Sequence, residues 1–216
     1  MGVDITVVMV DWAQLARIPA DGRLAALDDA VYPPYCCASC EDADYAVEGG
    51  WVWPRQSRWC AEYRFFGTTG SWGWHLHLAN AWADIRPLAA PDLRDALDCF
   101  LGGLVWDRPD EAPGSGPGTE TAADDEDPPA GGFPDDPVPW RPRVHLVRAP
   151  DEVPALVRAW NAAEPRLEEL REHFDAEVAS WAARPATFDA AVALLREWGE
   201  VVTRAGARGW GLIGLR

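Results

Sequence analysis

Trp210-Gly211-Leu212-Ile213-Gly214-Leu215 is a short apolar run that follows a long amphipathic stretch ending at Gly206 to Gly209. It reads as a strand. So does Ile5-Thr6-Val7-Val8-Met9, where adjacent Val7 and Val8 break strict alternation and point to burial on both faces. Each run would be costly to leave unpaired. The two terminal strands are therefore expected in one mixed or antiparallel sheet, with the helices between Asp151 and Gly206 packed on it: an α+β fold.

The helices follow from their periods. Asp151 is the expected N-cap of the first, because Pro154 is tolerated in a first turn and not deeper, and Val153, Leu156, Val157 and Trp160 form its apolar stripe. Pro165 opens a second, with Leu167, Leu170, Phe174, Val178 and Trp181, which Arg184-Pro185 breaks. The last carries Phe188, Val192, Leu195, Trp198 and Val202. Val144 to Val147 is a strand before them. Nearer the N-terminus, Asp11 caps a short helix with Trp12, Leu15 and Ile18, and Leu24, Leu27 and Val31 mark another that Pro33-Pro34 stops. Tyr35 to Pro54 shows no period and reads as a loop. Glu62 to Phe66 and Trp72 to Leu78 read as a hairpin, the second strand alternating Trp72, Trp74, Leu76 and Leu78 against His75 and His77. Asn80 is the expected cap of a helix with Trp82 and Ile85, and Pro91 opens one with Leu93, Leu97, Leu101 and Leu104. Cys99 falls off that stripe and is expected as a small packed thiol.

Composition narrows the function. The chain has 216 residues, 48% hydrophobic and 25% charged, which suits a single α+β domain over residues 1–216. All its 19 basic residues are Arg. Without Lys there is no Schiff-base chemistry, P-loop or kinase-type phosphate lysine. Residues 107–137 hold ten acids against Arg108, a net −9 of the chain's −16. Residues 107–139, rich in Pro, Gly, Asp and Glu, are expected to be a disordered acidic insertion, since so few apolar side chains cannot offset chain entropy. An acidic chain repels nucleic-acid phosphates and anionic membranes, and no segment has the length of a membrane span. The Arg-only, Ala- and Pro-rich composition resembles that of a high-GC bacterial protein. Myristoylation at Gly2 is not expected there, and cytoplasm is the expected compartment.

Ala149-Pro150-Asp151-Glu152-Val153, Leu170-Arg171-Glu172-His173-Phe174-Asp175, the long helix, Arg208-Gly209 and the final apolar strand together resemble the YfbM-like family of small bacterial α+β proteins. Leu76-His77-Leu78-Ala79-Asn80-Ala81-Trp82 is similar to a family stretch that usually has aspartates where His77 and Ala79 stand. Residues 35–74 and the acidic insertion depart from the family. The resemblance implies a fold; the family has no established catalytic residues to carry over.

Two chemistries remain. Cys36, Cys37 and Cys40 share one loop, so Cys37-x-x-Cys40 with Cys60 and either His75 or His77 is a candidate zinc set, and the basis of a metalloprotein or enzyme alternative. Zinc would be its cofactor; the preferred reading has none. A Cys60–histidine nucleophile is disfavoured by Trp59 and the nearby acids. Gly70-Ser71-Trp72-Gly73 is not a nucleophile elbow, and no Gly-rich loop follows a strand. The second chemistry is aromatic. Trp51, Trp53, Trp59, Trp72 and Trp74 lie close together with Arg55, Arg58 and Arg64, the residue types of interface hot spots. The preferred expectation is a non-enzymatic protein-interaction module, of accessory or immunity type, binding a protein or a small organic ligand. Its expected anchors are Trp51, Trp53, Arg55, Arg58 and Trp59, presented on a loop, with Trp72 and Trp74 buried behind them. Oligomeric state is not legible.

Overall fold

The computed structural model describes residues 6–31, 45–54, 58–65, 71–102, 104, 144–178 and 187–215. Its strands are β1 (Thr6–Val10), β2 (Tyr45–Glu48), β3 (Trp51–Pro54), β4 (Cys60–Tyr63), β5 (Val144–Arg148) and β6 (Gly211–Leu215). Its helices are α1 (Trp12–Leu15), α2 (Arg23–Val31), α3 (Ser71–Ile85), α4 (Pro91–Gly102), α5 (Val153–Ala163), α6 (Arg171–Val178) and α7 (Phe188–Arg208). The fold is α+β. All six strands join one antiparallel sheet in the order β2-β3-β4-β1-β6-β5, so the N- and C-terminal strands are neighbours, with Val8 opposite Ile213.

Side chains alternate across a strand, and here both faces are covered. Val7, Met9, Ala61, Tyr63 and Leu212 face the main core with α3 to α7, while Val8, Val10, Cys60, Val147 and Ile213 face α1 and α2. That double burial is why β1 is a continuous apolar run. Strands from before and after residues 107–139 share this sheet and its core; those residues themselves, and Trp181, lie outside the described ones.

The periodic helices form where their stripes point. Asp11 caps α1 by accepting from the backbone N–H of Ala13 and Gln14 (3.0 and 3.3 Å). Leu93, Leu97 and Leu101 of α4 and Val192, Leu195, Trp198 and Val202 of α7 are buried. Helix α5 starts one residue later than its sequence suggests. Glu152, not Asp151, is its N-cap, and the Glu152 carboxylate accepts from Ala149 N–H at 2.7 Å. A 3-10 stretch, Glu164–Leu170, connects α5 to α6 where Pro165 was expected to open a helix. Among the described residues no helix is long and apolar enough to cross a membrane.

Four local expectations are corrected. The strand read at Trp72 to Leu78 is the first half of α3, so there is no hairpin with β4. Leu78, Ala81, Trp82 and Ile85 are buried at helical spacing, and His75, one turn earlier, continues that stripe as a fully buried residue. Treating both histidines as polar disguised the period. Asn80, the expected cap, lies inside the same helix. The loop read up to Pro54 contains the β2–β3 hairpin, closed by Gly49 and Gly50 with φ of +55° and +84°, the left-handed geometry that a two-residue turn demands. Cys99 is exposed, not packed.

Candidate functional site

The hairpin register decides which aromatic residues are available. Ala46 faces Trp53 and Glu48 faces Trp51, so these four side chains share the sheet face that carries the main core. Trp51, the inner of the two indoles, is fully buried. It meets Tyr63 edge-on at 5.0 Å, Tyr63 meets Phe65 at 5.1 Å, and Phe65 lies 5.0 Å from both His75 and Trp198. Burial pushes the Tyr63 hydroxyl up to about 12, helped by Glu197 and Glu200. Trp51 is core.

Two residues on, the core ends and Trp53 is half-buried. Gly209, left-handed at φ +65°, terminates α7 and turns the chain so that Trp210 N–H donates back to the Ala205 carbonyl at 3.0 Å. This sets Trp210 6.2 Å from Trp53, with the Arg208 guanidinium 4.4 Å over Trp53 and 5.1 Å from Trp210. One turn earlier on α7, Arg204 donates to Glu48 at 3.1 Å. Between helix end and hairpin lies a groove of about 290 Å³ lined by Ala46, Glu48, Trp53, Pro54, Arg58 and Arg208. Arg204 engages the one carboxylate of this lining. Among the described residues neither Arg58 nor Arg208 has an acid within ion-pair distance. The groove thus offers two guanidiniums and an indole face inside a chain of charge −16.

The expected anchors therefore separate. Trp53 and Arg58 meet in the groove. Trp51 is not an exposed loop anchor, because its strand position turns it inward. Trp59 packs half-buried on the opposite sheet face, against the cluster of α1 and α2. Arg55 lies outside the described residues. Arg208, Arg204, Glu48 and Trp210 join the groove or its rim without being candidate site residues in the sequence. The signals for them were the Gly49-Gly50 turn and the aromatic directly after the helix-ending Gly209.

The candidate metal ligands also separate. Cys36, Cys37 and Cys40 lie outside the described residues. Cys60 is buried on the α1–α2 face, whereas His75 sits in the aromatic cluster on the other face and His77 is half-buried on the same helix as His75. The sheet stands between Cys60 and His75, and among the described residues no three His, Cys, Asp or Glu side chains converge. Burial pushes the Cys60 thiol up to about 12, so almost none of it is thiolate near neutrality. Native protein treated with iodoacetamide at about pH 8 should carry label on Cys99 and none on Cys60, read by peptide mapping. Equal labelling would contradict the burial of Cys60. Compared with known proteins, the chain matches no family model, no curated protein and no solved structure.

Proposed function

We propose that this chain is a non-enzymatic, cytoplasmic protein-interaction module that holds an acidic segment of its partner in the groove of Trp53, Arg58 and Arg208. One observation carries the reading: the Arg208 guanidinium is held over Trp53 and beside Trp210 at the mouth of the groove. Stacking fixes its long side chain before any partner arrives, which lowers the ordering cost of binding, and Trp and Arg are the residues in which interface energy concentrates. Position at the α7 C-terminus adds a favourable dipole contact for the Arg208 cation. Screening over about 8 Å at physiological salt makes these nearby cations, and not the distant acids, decide what the groove attracts. Kinship with the YfbM-like family is proposed alongside; it assigns no role to any groove residue.

Trp53→Ala combined with Arg208→Glu should abolish retention of the partner from native lysate while shifting Tm by only a few degrees, because both side chains sit at the rim. A partner held equally by wild type and double variant would overturn the reading.

A further inference from the structure

Resting on that reading, we infer that the partner segment binds as an added antiparallel strand along the outer edge of β2, its acidic side chains entering the groove over Ala46. Among the described residues β2 is the last strand of its sheet, with nothing paired beyond it. Its backbone parity is readable. Tyr45 faces Pro54, which has no N–H, so that pair exchanges no hydrogen bonds across the hairpin, and by alternation neither does Val47 with Val52. The β3–β4 side agrees, since the Arg64 N–H donates to the Gly50 carbonyl at 2.8 Å and so puts even-numbered β3 positions toward β4. The N–H and C=O groups of Tyr45 and Val47 consequently point outward, in position to pair with another strand.

The two faces of this edge ask for different side chains. On the α7 face stand Ala46 and Glu48, and the small Ala46 leaves the groove open sideways toward Trp53 and Arg208. On the other face Val47 is 65% exposed, a large apolar side chain lying bare on an edge strand. An added antiparallel strand would set its residue opposite Val47 on that apolar face, with its own N–H and C=O turned to β2. The next residue would project onto the α7 face, toward the guanidiniums. The chemistry that fits is an extended segment alternating acidic and β-branched apolar residues.

The probe is a short capped peptide alternating glutamate and valine, titrated against the full chain by fluorescence anisotropy. Three forms are compared: unmodified, N-methylated at every valine amide, and N-methylated at every glutamate amide. The unmodified and glutamate-methylated peptides should bind alike. Valine methylation should weaken binding about tenfold or more, since it removes the donors that face β2. Arg208→Glu should weaken the unmodified peptide similarly. Equal binding of all three peptides, still lost in Arg208→Glu, would overturn strand addition and leave the groove reading standing. Loss on glutamate methylation alone would overturn the antiparallel arrangement. No binding of the unmodified peptide, or binding that Arg208→Glu leaves unchanged, would overturn both.

Discussion

Replacing Trp51 by alanine is expected to destabilise the protein by about 3–5 kcal/mol, the range for deleting a large aromatic side chain from a core. At about 2–4 °C per kcal/mol for a chain of this size, Tm falls on the order of 10 °C. The side chain is fully buried at the head of the row Trp51, Tyr63, Phe65, Trp198, so its loss leaves a void bounded by rings that hold one another in place. Phenylalanine should recover part of the loss. It refills some volume and removes an indole N–H that is buried without an acceptor among the described residues. Alanine at Trp53, two residues away on the same sheet face, should cost less, because that ring is only partly buried at the edge of the core. Thermal melts of the three variants test the contrast. If Trp51→Ala and Trp53→Ala melt alike, the inward turn of β3 at residue 51 is wrong.

Gly199→Ala should destabilise despite a helix propensity that favours alanine by about 1 kcal/mol. At this position α7 crosses α5 with the Trp160 ring lying on the glycine, and a new Cβ would collide with Trp160 Cε2 and Nε1 and sit 2.6 Å from Cζ2. The ring has nowhere to go. It stacks on Phe100 of α4 at 5.0 Å and 29°, and is itself buried. Overpacking costs about 1–3 kcal/mol, enough to outweigh the propensity gain, so urea denaturation should show a lower midpoint. Trp160→Phe in the Gly199→Ala background should restore part of the stability, giving a coupling that independent sites would lack. A more stable Gly199→Ala protein would mean that α5 and α7 do not cross here.

Where burial repeats with the helix period, sequence and structure agree. Leu93, Leu97 and Leu101, and Val192, Leu195, Trp198 and Val202, announce their helices because each stripe is a local pattern that needs only one apolar neighbour. Asp11 acts as a cap within its own few residues. Agreement fails where identity misleads about environment. His75 behaves as a core residue between Phe65 and Trp198, so its polar side chain hides the helical period in which it takes part. The β2–β3 hairpin is hard to read from sequence because its strands are short and its one local signal is the Gly49-Gly50 pair.

The amino-acid sequence by itself determined the fold class, the entry of both terminal strands into one sheet and most helix faces, since alternation, capping and the 3.6-residue period act within a few residues. It also determined that aromatic and Arg side chains would be concentrated between residues 51 and 74. Only the tertiary structure decided which of them meet. Trp53 and Arg208 are far apart in the chain, and it takes the strand order β2-β3-β4-β1-β6 and the end of α7 to bring them within 4.4 Å. The same sheet puts Cys60 and His75 on opposite faces, although they stand close in sequence. Local patterns carry no record of strand order. A groove made by the end of a late helix and an early hairpin exists only once long-range pairing has been chosen.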